Sequence, residues 1–165
     1  MPASAHPRIT PTLLSDPPQA QAFLALLDHY ARDPMGGGQG LSGFARAHLV
    51  ERLAVRPDFI GLMAWEGDEA VGLINCFEGF STFAARPLLN IHDIVVRAER
   101  RARGIGQALL QAAESAARAR DCCKLTLEVL SNNRRALASY SRFGFRPFEL
   151  DPTAGQALFL EKQLG

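Results

Sequence analysis

The sequence predicts a single mixed α/β (α+β) domain, and three observations carry that reading. Strand-like runs and helix-like stripes interleave along the chain instead of segregating into halves. One β-branched and apolar run, Leu88 to Val96, has the character of a central strand buried on both faces. That run leads through the turn Arg101-Ala102-Arg103-Gly104-Ile105-Gly106 straight into a long helical stripe. At 165 residues the chain suits one domain with a real core, and neither a repeat nor a low-complexity linker divides it.

The elements follow in order. Met1 to Pro7 lacks the apolar stretch of a signal peptide and is expected to be a flexible tail, with the domain spanning 8–165. Ile9 to Leu14 is a first strand. Asp16 is placed to cap the next helix, whose first turn tolerates Pro17 and Pro18 and whose stripe is Phe23, Leu26, Leu27 and Tyr30. Four glycines and a proline between Asp33 and Gly40 end it, and a second helix starts after Ser42. Phe59 to Trp65 and Ala70 to Phe77 read as strands around the turn Glu66-Gly67-Asp68-Glu69. A polar, irregular interval is expected from Glu78 to Pro87, before the central strand. The helix after the glycine turn runs to about Ala119 with Ile105, Leu109, Ala112, Ala113, Ala116 and Ala117 toward a sheet. Lys124 to Leu130 is the next strand, and Asn133 opens a helix that Gly144 ends. Phe145 to Phe148 and Ala157 to Leu160 read as final short strands.

Charge and cysteine usage narrow the function. A formal net charge of +1 argues against general nucleic-acid or membrane-surface binding, although arginines cluster locally at Arg97, Arg100, Arg101 and Arg103, and again at Arg134 and Arg135. That distribution suits a small polyanion. Cys76, Cys122 and Cys123 have no metal-type spacing and read as small buried hydrophobes of a cytoplasmic protein, so no metal is expected. No apolar run is long enough to span a bilayer.

The glycine turn is the chemical centre of the sequence. The first amides of a helix have no intrahelical partners and carry the positive end of the helix dipole, which makes this turn an anion site. Arg100, Arg101 and Arg103 add charge for a phosphate. Leu109 stands where a dinucleotide fingerprint needs a small residue, and no Gly-Lys-Ser/Thr ending exists for a P-loop.

A second set of residues lies further on: Leu127-Glu128-Val129, then Asn133, Ala136, Tyr140 and Gly144-Phe145. Together with Arg101-x-x-Gly104-x-Gly106 it resembles the GNAT superfamily of acyl-CoA-dependent N-acyltransferases, most strongly over residues 90–148. The resemblance implies the GNAT fold, a mostly antiparallel, splayed sheet flanked by helices. It also implies acetyl-CoA as co-substrate, bound through Arg101, Ala102, Arg103, Gly104, Ile105, Gly106 and Asn133, with backbone groups of Ile94, Val95 and Val96 on the pantetheine arm. The expected reaction is transfer of the acetyl group to a primary amine of a small molecule or peptide, by direct attack in a ternary complex. Many relatives form homodimers, so a homodimer is an expectation here too.

Tyr140 matches the family's general acid, able to protonate the leaving thiolate. An alkylamine titrates near pH 10, so a base or water chain must deprotonate it. His92 is one candidate, placed by strand alternation on the face of Asn90 and Ile94. The run Phe80-Ser81-Thr82-Phe83 followed by His92-Asp93 is similar to the polyamine acetyltransferase branch, with His92 in the place of a glutamate. Glu78 is a second candidate, for base or amine anchor, and Asp93 is expected to be a hydrogen-bonding partner in the core. The loop Asp33 to Gly40 is the expected acceptor-side element. Two other readings stand beside the enzyme: a non-catalytic acyl-CoA-binding module, and a nucleic-acid-binding domain disfavoured by the near-neutral charge.

Overall fold

The computed structural model describes residues 6–164. Met1 to Ala5 of the expected tail lie outside the described residues. Five strands, β1 (Arg8–Pro11), β2 (Phe59–Glu66), β3 (Glu69–Ser81), β4 (Arg86–Val96) and β5 (Leu125–Leu127), form one sheet in chain order. The first four pair antiparallel, and β5 joins β4 in parallel. Four α-helices flank it: α1 (Pro17–Arg32), α2 (Gly43–Ala54), α3 (Ile105–Ala119) and α4 (Arg134–Phe143). This is the splayed, mostly antiparallel α/β architecture expected from the sequence.

Each face of the sheet buries its own cluster. On one side Ile74, Cys76, Leu89 and Ile91 meet Ile105, Leu109, Leu110, Ala113 and Ala117 of α3. On the other, Met63, Leu73 and Val95 meet Phe23, Leu26 and Leu27 of α1 and Leu53 of α2. Each of these larger side chains contributes about 1.5–3 kcal/mol on burial, which explains why β3 and β4 are apolar on both faces.

Three local expectations change. The interval after Phe77 is not irregular. β3 continues to Ser81 and β4 begins at Arg86, so Ser81 pairs with Arg86 across a short turn that places Ala85 at φ 50°. Ladder hydrogen bonds between long neighbours hold even polar residues extended there. β5 stops at Leu127, and residues 145–164 contain no strand, so the expected strands at Phe145–Phe148 and Ala157–Leu160 are absent. Phe148, Leu158, Phe159 and Leu160 remain exposed. A strand needs a pairing partner, and apolar character alone does not supply one.

The helix caps show the same dependence on backbone chemistry. Ser42 Oγ accepts from Ala45 N at 3.1 Å and starts α2 as expected. Asp16 precedes α1 but makes no side-chain cap bond. Pro18 sits in the first turn, where one of the amides that such a cap would bind is missing. Among the described residues, no helix is long and apolar enough to cross a membrane.

Candidate active site

β4 is unpaired on one side beyond Ile91, because β5 ends opposite it at Leu127. The sheet therefore opens at Ile94, Val95 and Val96, and a cavity of about 480 Å³ lies there, continuing to the N-terminus of α3. Ile94, Val95, Val96, Arg101, Ala102, Gly104, Ile105, Gly106, Asn133 and Tyr140 all line it. Residues chosen from two separate stretches of sequence thus share one cleft.

The turn before α3 has the backbone of an anion cradle. Ala102 stands at φ 63° and Gly104 at φ 83°, both left-handed, and no side chain caps the helix. The Cβ absent from Gly104 would meet nothing within 4 Å, so the left-handed backbone, rather than crowding, accounts for glycine here. The amides that open α3 are left for a ligand. An open strand edge, uncapped helix amides and a cleft of this size fit the pantetheine arm and diphosphate of coenzyme A.

The expected arginine contacts are redistributed. Arg100 Nη2 lies 2.9 Å from Glu69 and its Nε 3.5 Å from Glu66. Arg101 donates from Nε to the Val96 carbonyl at 3.1 Å and from Nη2 to Asp33 at 3.0 Å. Arg103 is exposed and does not line the cleft. What the turn itself presents to the cleft is chiefly backbone, at the uncapped start of α3. The cleft's other guanidiniums come from α4: Arg135, a member of the second arginine cluster in the sequence, and Arg142, which no sequence motif singles out. Their signal was there: Arg135, Ala138, Ser139 and Arg142 fall on one helical face, and Gln107 Nε2 of α3 donates to Ser139 Oγ at 2.9 Å.

α1 and the following loop complete the wall with Tyr30, Asp33 and Met35. Asp33 Oδ1 accepts from Met35 N at 2.9 Å and so caps the 3₁₀ turn Pro34–Gly36. That amide first, then the Arg101 guanidinium, holds the Asp33 carboxyl below its usual range. Gly36 packs on Tyr30 so closely that a Cβ would sit 2.0 Å from the Tyr30 carbonyl oxygen. Asp28 ties down the rest of the loop, accepting from Leu41 N at 2.8 Å, Arg32 at 2.8 Å and Arg46 at 2.6 Å. The loop expected on the acceptor side is a stapled element whose Asp33 and Met35 wall this cavity.

Two phenols face this cleft. Burial, then the neighbouring Tyr30, pushes Tyr140 up to about 12. Tyr30 is raised by burial, then by Asp93 and Asp33. Both are protonated at neutral pH and able to donate. Asn133 Oδ1 accepts from Ala136 N at 3.2 Å, so it caps α4 while its side chain also lines the cavity.

His92 lies outside the cavity lining, for a reason the sequence pattern hides. Asn75 pairs with Asp93 and Cys76 with Ile91, which leaves His92 as the extra residue of a β-bulge. The bulge breaks the alternation. Ile94 packs with Ile91 on the α3 side, whereas the His92 ring stands edge-on to Phe77, 5.4 Å between centroids, and Phe77 packs on the α1 side. His92 and Ile94 therefore do not share a face. Asp93 accepts from the buried Asn75 at 3.0 Å, as expected of a core partner. Glu78 faces Arg120 at 3.4 Å, just past the C-terminus of α3, the end opposite the phosphate turn. Among the described residues there is no group of three or more His, Cys, Asp or Glu placed to hold a metal.

The chain is an acyltransferase of the acetyltransferase type. The family model "Acetyltransferase (GNAT) family" matches residues 23–145, and the chain belongs to that family, whose acyl donor is acetyl-CoA. No curated protein sequence matches it. Several solved structures share the fold at low identity. A transcriptional regulator from Bacillus halodurans C-125 is 17% identical with TM-score 0.77, covering 95% of this chain and 100% of the other. An aminoglycoside acetyltransferase from an uncultured soil metagenomic sample is 18% identical with TM-score 0.76, covering 97% of each chain. A ribosomal-protein-alanine N-acetyltransferase from Brucella melitensis biovar Abortus 2308 is 19% identical with TM-score 0.70, covering 95% and 99%.

Proposed function

We propose that this chain transfers the acetyl group of acetyl-CoA to a primary amine of a small molecule or peptide, by direct attack in a ternary complex. The observation that carries the reading is Tyr140. It is a partly buried, protonated phenol on the same cavity as the open edge of β4 and the uncapped start of α3.

When bound, acetyl-CoA supplies an acyl carbon activated as a thioester. The chain's residues do the rest. The α3 amides and the left-handed turn hold the diphosphate, and the unpaired edge at Ile94 to Val96 orients the arm. The backbone N–H of Val96, on the side of β4 away from β3 because the adjacent Arg97 N bonds the Val71 carbonyl, donates to the carbonyl oxygen as negative charge grows there. Tyr140 gives its proton to the departing sulfur.

The amine must arrive neutral. We assign its proton to His92, whose exposed ring on the bulge can pass the proton to solvent. Glu78 and Asp93 are engaged with Arg120 and Asn75. The solved neighbours that acetylate aminoglycosides and a ribosomal protein support amines of both kinds as acceptors. The resemblance to the polyamine branch adds polyamines.

The test is thiol release from acetyl-CoA against polyamines, aminoglycosides, amino acids and peptides. At least one amine should raise release well above the acceptor-free rate. Coenzyme A binding with no release from any acceptor would instead mark a binding module.

A further inference from the structure

Four arginines line the donor cleft, and they divide into two classes. Arg100 is engaged with Glu66 and Glu69, and Arg101 with Asp33 and the Val96 carbonyl. Arg135 and Arg142 make no ion pair and no side-chain hydrogen bond among the described residues. They lie two helical turns apart on one face of α4, about 10 Å along its axis. Arginine side chains are long enough to converge on one group from that separation. Arg135 also stands in the first turn of α4, where the helix dipole adds positive potential.

Coenzyme A carries two anionic groups. The diphosphate has the glycine turn. The 3′-phosphomonoester of the ribose, close to two negative charges at neutral pH, needs cations of its own. We propose that Arg135 and Arg142 form a phosphomonoester subsite that selects donors bearing the 3′-phosphate, which makes α4 the specificity-determining wall of the cleft. This rests on the acetyl-CoA reading above. Guanidinium is the group suited to the task, since its planar fork meets phosphate oxygens two at a time. Asp33, the one acidic residue on the cavity lining, is neutralised by Arg101 and does not oppose the anion.

Calorimetric titration with coenzyme A and with 3′-dephospho-coenzyme A tests this on the wild-type protein and on Arg135→Ala, Arg142→Ala and the double variant. Wild type should favour the 3′-phosphorylated form by roughly 10-fold, a preference that shrinks with added salt because both guanidiniums are exposed. The double variant should bind the two forms equally, with dephospho affinity changed less than about twofold. Lysine at both positions should restore part of the preference. A purely structural role would weaken both ligands together and leave their ratio unchanged, which overturns the subsite. Equal wild-type affinities also overturn it and leave the acetyl-CoA reading standing. Failure to bind either form removes both.

Discussion

Arg101 joins two parts of the chain that meet nowhere else in sequence. Its guanidinium spans from the carbonyl of Val96, the last residue of β4, to the carboxylate of Asp33, 68 residues earlier. The loop that begins at Asp33 is thereby pinned to the turn that precedes α3.

This pair has a pH signature. The folded Asp33 carboxyl is depressed below its ordinary value of 3.8, by the Met35 amide first and by Arg101 next. A depressed carboxyl stabilises the fold above its unfolded value and loses that contribution as pH falls through the folded one. Asn in place of Asp33 keeps an acceptor for Met35 N and removes the ion pair. Asp33→Asn should cost about 0.5–1 kcal/mol at pH 7, modest because both partners are partly exposed. Urea unfolding should show that gap closing below about pH 4. A gap independent of pH would mean that the charge pair contributes nothing.

Tyr140→Phe and His92→Gln separate chemistry from binding. Removing a general acid or base lowers kcat by roughly 10²–10⁴-fold while coenzyme A affinity holds. Because Tyr140 is pushed up to about 12, no alkaline loss of rate below pH 10 should come from its ionisation. Full activity in Tyr140→Phe would remove it from the mechanism, and full activity in His92→Gln would return the proton to a water chain.

Two glycines should respond differently to alanine. At Gly104 the cost is the left-handed backbone alone, roughly 1–2 kcal/mol, with space available for the methyl. At Gly36 the new Cβ would lie 2.0 Å from the Tyr30 carbonyl oxygen, a backbone atom, so the loop itself must move. Gly36→Ala should therefore lose more thermal stability than Gly104→Ala and should disturb the cleft wall. Equal melting temperatures would contradict that reading of the loop.

The cysteines make an alkaline probe. Cys76 is fully buried, and burial pushes its thiol up to about 12, whereas Cys122 and Cys123 are half-buried. In native protein near pH 8 a disulfide reagent should label Cys122 and Cys123 and reach Cys76 only after denaturation. A raised thiol stabilises below its unfolded value and loses that contribution as pH climbs through the folded one. Stability should fall between about pH 9 and 12, with Tyr140 adding to the loss above 10. Rapid labelling of Cys76 in the native state would show that its side of the sheet opens.

Much of the fold could be read locally. α3 declared itself by its stripe and its glycine start, and α4 by Asn133 and the left-handed Gly144. Tyr140 and the glycine turn belonged to two short motifs of known spacing. The hairpin around Thr82 to Ala85 was missed because its ladder depends on cross-strand pairing, and two C-terminal strands were expected where nothing pairs with them. The His92 bulge was invisible for a related reason. An extra residue in one strand is defined only against the partner strand.

Sequence by itself determined the uncapped helix start that opens onto the cleft, since that start and its flanking glycines are set by residues adjacent in the chain. Tertiary structure decided which charges face the cleft. Arg100 and Arg101, adjacent to the turn, are neutralised by carboxylates from β2, β3 and the end of α1, while Arg135 and Arg142 reach the cleft from α4 with no ion pair among the described residues. Backbone conformation follows from near neighbours. The pairing of long, flexible charged side chains follows from what folding brings within about 4 Å.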